Sequence, residues 1–187
     1  MPRLFTALEI PQAARAALAQ TRGGLFGARW SEPADYHLTL RFIGDIDART
    51  ADDIAAALDE ARRGPVEVAF EALSWFGGDK PRAIIARVKP APALLALAAD
   101  HERRLRRLGL PPETRQFTPH VTLARMRGVS PAAVADYLAA RGRLEAPGFM
   151  AESFVLMSAK DGVGGAPYVV EGEYPLGRGS PGSEQGG

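Results

Sequence analysis

The sequence predicts a mixed chain of strands and helices laid out as two similar halves, and three observations predict it. Short apolar runs with partial alternation, which suit half-buried strands, take turns with Ala- and Leu-rich runs of helical spacing. The order strand, helix, strand, turn, strand occurs twice, its first strands starting about eighty residues apart. The composition, 46% hydrophobic and 24% charged, is that of a globular protein. A chain of 187 residues makes one domain, or two small lobes sharing a core, and buries enough surface to hold without disulfide or metal staples.

In order along the chain, residues 4–10 (LFTALEI) read as a short strand that Pro11 ends. Residues 13–22 form an Ala- and Leu-rich helix closed by Gly23 and Gly24. Residues 36–43 (YHLTLRFI) are β-branched and aromatic, a strand stopped by Gly44-Asp45. Residues 51–63 set Ile54 and Leu58 four apart, a helical spacing, and Gly64-Pro65 end that helix. Residues 66–76 and 83–88 read as two strands joined in a hairpin by the Gly77-Gly78-Asp79 turn. Residues 93–108 carry the strongest helical pattern, with Leu94, Ala98, Leu105 and Leu108 on one face and arginines on the other. The order then repeats. Residues 117–125 are a second strand of the first type. Ser130-Pro131, an N-cap followed by Pro at the first helical position, opens a helix to about residue 140. Residues 149–157 and 168–174 form another strand pair, with a Gly-rich turn at 162–165. The stretch 177–187 is rich in Gly and Ser, with one Pro, and has no large apolar residue, a disordered tail behind a domain spanning 1–176.

The charge balance, 23 basic against 22 acidic residues, disfavours a generic DNA-coating protein or an acidic scaffold. Twenty of the 23 cations are arginine, whose planar fork suits phosphate, although a GC-rich, Ala-heavy genome gives the same bias. Cysteine is absent, which excludes disulfide scaffolds, Cys-ligated zinc, iron–sulfur clusters and thiol nucleophiles. The apolar run near the N-terminus is cut by Glu9 and is too short for a signal sequence or a membrane span, so a soluble cytoplasmic protein is expected.

The first strand of each half carries the same four-residue word, His37-Leu38-Thr39-Leu40 and His120-Val121-Thr122-Leu123, in a chain that has only three histidines. On a strand, side chains two apart point to one face, about 7 Å from each other. Each word therefore presents an imidazole beside a hydroxyl, with Leu38, Leu40, Val121 and Leu123 turned toward a core. Folding the halves about a pseudo-two-fold axis lines one cleft with two imidazoles and two hydroxyls. In-line displacement at phosphorus uses such a set. A base takes a proton from the attacking oxygen, an acid protonates the leaving oxygen, and neutral donors hold the non-bridging oxygens. Histidine suits both proton transfers because its unperturbed pKa lies near neutral pH.

These words, with RLFTALEIP, RWSEPADYHLTLRFIGD and RQFTPHVTLAR, resemble the two-histidine (2H) phosphoesterase superfamily and its bacterial and archaeal RNA 2′,3′-cyclic phosphodiesterase branch, once called 2′–5′ RNA ligases. The resemblance spans about residues 2–176. It implies an α+β fold of two pseudo-symmetric lobes with facing, mainly antiparallel sheets, helices outside and the active-site cleft between. It also implies metal-independent opening of RNA 2′,3′-cyclic phosphate ends to 2′-phosphomonoesters, no cofactor, and a monomer acting on RNA or nucleotides, with reversible 2′–5′ RNA ligation, in which a 5′-hydroxyl replaces water, as a companion activity. Residue by residue, it makes His37 the proton donor and His120 the proton acceptor. Thr39 and Thr122 bind phosphate, with the family's arginine five after the second histidine falling at Arg125.

The remaining candidates have two readings each. Strict alternation puts Arg125 on the face opposite His120, so its phosphate role needs a bulge, a twist or the strand's end, while the same alternation nominates Arg41, four after His37. His101, in Asp100-His101-Glu102, reads as a solvated helix position rather than a metal ligand. Arg103, Arg104, Arg106 and Arg107 form either an RNA-backbone patch or a solvated helix face. Trp30 and Phe117, ahead of the two words, stack on a base or pack at a strand's start. Tyr168 matches a tyrosine near the family's C-terminus and borders the cleft or packs. A binuclear metal hydrolase is disfavoured, because the chain has no HxH, HxxxH or Cys and its nearest carboxylates, Asp35 and Asp45, lie outside the words. The alternative of another class is an RNA- or nucleotide-binding module of the same fold without turnover.

Overall fold

The structure, a computed structural model, describes residues 3–159 and 168–177. The turn expected at 162–165 and all of the expected tail except Gly177 lie outside these residues. Strand β1 (Arg3–Glu9) buries five residues in succession because both of its faces are covered. Leu4 and Leu8 join the main core, while Phe5 and Ala7 join a smaller cluster with Val155. Helix α1 (Gln12–Ala19) follows, then a short strand β2 (Ala28–Trp30) and a 3₁₀ turn at Pro33–Asp35, neither of which the apolar pattern predicts. Strand β3 (His37–Asp45) carries the first histidine word. Helix α2 (Ala48–Asp59) starts before the apolar spacing does, because the Asp47 side chain accepts from the Thr50 N–H and caps it.

Residues 66–76 and 149–157 each divide in two: β4 (Val66–Val68) and β5 (Phe70–Phe76), then β8 (Phe149–Ala151) and β9 (Ser153–Ala159). Among the described residues β4 pairs only with β8, whereas β5 and β9 enter the main sheet. An apolar run signals burial but not a change of partner. Strand β6 (Ala83–Val88), helix α3 (Pro92–Arg107), strand β7 (His120–Met126) with the second word, helix α4 (Pro131–Arg141) and strand β10 (Tyr168–Pro175) complete the order. As expected, Ser130 caps α4, accepting from the Ala133 N–H, and Gly142 ends it at φ 65°.

The main sheet runs β10-β9-β1-β3-β7-β6-β5, with β2 on β7 and every pair antiparallel. The lobes β10-β9-β1-β3 and β2/β7-β6-β5 meet at one paired position, Leu38 opposite Val121. They are not the two halves of the sequence. The repeating unit is strand, helix, word-bearing strand, helix, short strand, strand, and the last strand of each unit pairs with the first strand of the other: β5 with β6, β9 with β1. The tight turn after Phe76 holds β5 beside β6, so the end of the first unit builds the lobe of the second. No helix among the described residues is long and apolar enough to cross a membrane.

His101 corrects the expectation of a solvated position. It is fully buried on α3, with Nδ1 hydrogen-bonded to the Thr6 hydroxyl at 2.9 Å, its ring 4.5 Å from Phe154, and Nε2 without a partner among the described residues. Burial pushes its pKa down to about 4. The folded state thus prefers the neutral ring, a preference fully present above the unfolded value near 6.5 and lost as pH falls through the folded one. Thermal unfolding is expected to show stability declining from pH 7 to pH 5, with a shallower decline in His101→Gln; an equal decline in both would remove His101 as its source. The arginines after it divide. Arg103 and Arg104 hold Asp100 at 2.5 and 2.8 Å, and Arg104 also donates to the carbonyls of Ala57 and Glu60 at the end of α2. Arg106 and Arg107 are exposed.

Candidate active site

The seam between the lobes positions the two words. Because Leu38 lies opposite Val121 on antiparallel strands, the flanking positions bring His37 toward Thr122 and Thr39 toward His120 on one face of the sheet. Leu38 and Val121 themselves point into the core and are fully buried. Beyond the threonine of each word, a bulge decides which side chain reaches that face. In β7, Ile84 pairs with Ala124 and Ile85 with Thr122, which leaves Leu123 over. Leu123 and Ala124 are then buried in succession, alternation restarts, and Arg125 comes out exposed on the face of His120 and Thr122.

The same irregularity in β3 moves Arg41 the other way. Thr6 pairs with Arg41 and Ala7 with Thr39, leaving Leu40 over, so Leu40 and Arg41 are both buried. Arg41 donates to the Glu102 carboxylate, the Phe42 carbonyl and, at 2.7 Å, the Pro111 carbonyl. Although it borders the cleft, its guanidinium is tied to protein groups, which corrects the same-face placement expected from strict alternation. Phe42, 44% exposed, takes in β3 the place that Arg125 takes in β7.

Both imidazoles are oriented alike. His37 Nδ1 lies 2.8 Å from the Asp35 carbonyl and His120 Nδ1 lies 2.6 Å from the Thr118 carbonyl, each two residues upstream. A carbonyl only accepts, so both rings carry the Nδ1 proton when neutral and keep Nε2 for chemistry. His37 is walled by Phe5 at 4.9 Å and Tyr168 at 4.8 Å, and His120 by Phe76, nearly perpendicular to it at 4.7 Å. Burial lowers the pKa of each, and the nearby Arg125 charge lowers both further; His120 adds to the effect on His37. The carbonyl bonds oppose these shifts without cancelling them.

A cleft of about 710 Å³ opens beside Thr39 and His120 and runs past Phe42, Phe76 and Phe117 to Arg82, Arg115 and the α3 residue Glu102. Phe117 lines it while also touching the main core. Trp30 instead packs against the core and tilts onto Tyr137 at 5.6 Å. Among the described residues no three His, Asp or Glu side chains gather as a metal-ligand set. Asp35 meets His37 through its carbonyl rather than its carboxylate, and Asp45 pairs with Arg3 at 3.7 Å. Phe5, Phe76 and Phe42 border the candidate site, and sequence reasoning missed them. No local spacing marks the first two, and the third is visible only once the bulge at Leu40 is known.

The model of the LigT-like phosphoesterases matches this chain twice, over residues 8–86 and 87–168. The chain belongs to the LigT-like phosphoesterase family. The two matches begin near the ends of β1 and β6, the first strands of the two repeating units. Among curated relatives of this LigT-like chain, the RNA 2′,3′-cyclic phosphodiesterase of Archaeoglobus fulgidus is 27% identical over 85% of this chain and 87% of its own length. That of Aeropyrum pernix is 35% identical over 52% of this chain and 56% of its own length, so this match spans little more than half of that relative. Of the solved structures, TT0787 of Thermus thermophilus superposes with a TM-score of 0.78 at 25% identity, covering 93% of this chain and 97% of that one. E. coli LigT complexed with 3′-AMP gives 0.75 at 21% identity, with 95% and 100% covered, a likeness of fold. The bilobal α+β fold is thus the fold of LigT-like phosphoesterases.

Proposed function

We propose that this chain is a metal-independent RNA 2′,3′-cyclic phosphodiesterase that opens cyclic phosphate ends to 2′-phosphomonoesters. The reading is carried by two imidazoles on adjacent strands, each locked at Nδ1 by a carbonyl, each with no partner at Nε2 among the described residues, and each beside a threonine hydroxyl. The activity named for the curated relatives supports it. His120 Nε2 takes a proton from water as the oxygen bonds to phosphorus. His37, in its protonated form, gives a proton from Nε2 to the departing 3′ oxygen, so the P–O3′ bond breaks and the phosphate stays on O2′. Their order, donor first, follows the family resemblance. Thr39 and Thr122 donate to the non-bridging oxygens, and Arg125, on the same face, offsets their charge.

The terminal nucleoside occupies the cleft, where Phe76 and Phe117 offer faces to the base. Tyr168 and Phe5 hold the His37 ring in place. The protein acts as a cytoplasmic monomer. Because every proton transfer and phosphate contact is assigned to a side chain, hydrolysis of a nucleoside 2′,3′-cyclic phosphate is expected to survive excess EDTA. Loss of turnover in EDTA, restored by zinc or manganese, would replace this mechanism with a metal-dependent one. Absence of turnover in any condition, with the cyclic phosphate bound, would leave a binding module.

A further inference from the structure

Arg125 does not stand alone on its face. Its partner across the β2–β7 pair is Arg29, so the two side chains leave the same side of the sheet directly opposite one another. Both are exposed, and among the described residues no carboxylate lies within ion-pair distance of either. Like charges placed directly opposite on paired strands destabilise the pair. Their neighbours in the register, Ala28 with Met126 and Trp30 with Ala124, turn to the other side, where Trp30, Met126 and Ala124 pack in the core, so β2 is fixed and Arg29 cannot move to the buried face. Just before β2, the loop buries Leu25 at 8% exposure and leaves Phe26 wholly exposed at 101%. Gly24 at φ 81° and Gly27 at φ 86° shape that turn in the left-handed region.

We infer that Arg29 and Phe26 form a second binding site, which takes the RNA chain on the 5′ side of the cyclic phosphate. This rests on the reading that Arg125 faces that phosphate. A terminal phosphate at Arg125 leaves Arg29, one strand spacing further out, to meet the next phosphate of the same chain, and Phe26 beyond it to stack on a base. Arginine holds phosphate through its planar fork, and a base stacks on an aromatic face whatever its identity. The site therefore distinguishes an RNA end from a free cyclic nucleotide without reading sequence. Beyond the seam, β2 occupies the flank of β7, while the cleft opens beside β3.

The experiment compares kcat/KM for a nucleoside 2′,3′-cyclic monophosphate with that for a short oligoribonucleotide ending in 2′,3′-cyclic phosphate. Arg29→Gln is expected to lower the preference for the oligoribonucleotide about tenfold, mainly through KM, and to reduce the salt slope of its binding by about one. Phe26→Ala is expected to lower the same preference by about tenfold, the scale of one lost stacking contact. Arg107→Gln, an identical charge change on the exposed end of α3, is expected to leave the preference alone. A preference unmoved by Arg29→Gln, or moved equally by Arg107→Gln, overturns the inference; the second result would route the RNA over α3. If the wild type turns over neither substrate, the proposed activity fails. The same comparison is then read by binding of a labelled oligoribonucleotide with a 2′-phosphate end against the corresponding nucleoside 2′-phosphate. Discrimination lost in Arg29→Gln upholds the site and discrimination retained removes it.

Discussion

Replacing His37 or His120 with alanine is expected to lower kcat/KM for a cyclic phosphate by about 100- to 10,000-fold each, the scale of losing a general acid or base. In the proposed mechanism the two imidazoles serve one displacement, so the double variant should fall far short of the product of the single losses. The pH profile of kcat/KM adds a sign. It reports the free enzyme, in which burial and the Arg125 charge hold both imidazoles below the ordinary histidine value. A donor with a lowered pKa loses its proton sooner as pH rises, and an acceptor with a lowered pKa stays neutral to lower pH. Both limbs of the bell therefore move down, and its maximum is expected on the acid side of about 6.5. His37→Ala should flatten the alkaline limb and His120→Ala the acid one. Arg125→Gln, which removes a cation near both rings, should shift the bell toward higher pH. A wild-type profile flat from about pH 5 to 9, with chemistry limiting, would dissociate the histidines from proton transfer.

The legible part of this site is its local part. A period of two is a property of any strand, so His37 with Thr39 and His120 with Thr122 could be placed on shared faces from the sequence alone. The residues at +4 and +5 could not. Whether Arg41 or Arg125 reaches the site depends on one unpaired residue, Leu40 or Leu123, and an apolar residue that is bulged looks the same in sequence as one that is paired. His101 is a different case. It lies three residues after Ala98 and four before Leu105, on the apolar stripe of α3, so the spacing marks it for burial although its residue type suggests solvent. Phe5, Phe76 and Arg29 arrive through pairings between strands distant in the chain, which no local pattern encodes. The exchange of terminal strands between the repeating units is of the same kind: the duplication was legible, but not that β9 crosses back to β1.

Thr39→Ala or Thr122→Ala is expected to cost about 10- to 1000-fold in kcat, the scale of losing one donor to a developing oxyanion. The register at the seam says where the loss acts. Thr39 lies across from His120 and Thr122 across from His37, so in the proposed mechanism each hydroxyl would serve the phosphate beside the histidine of the other word. Both threonines are half-buried, on the face opposite the fully buried Leu38 and Val121, so truncation opens no cavity in the main core. The folded protein should survive the change, and the effect should appear in kcat more than in KM if the hydroxyls bind the transition state better than the ground state. Serine keeps the donor and should retain much of the activity, whereas valine keeps the shape and should behave like alanine. Equal damage from Thr→Ser and Thr→Ala, with Thr→Val mild, would instead assign the role to the γ-methyl, as packing that holds the imidazole across the strand. The hydroxyl would then leave the mechanism, and Arg125 would remain as the side chain that holds the phosphate.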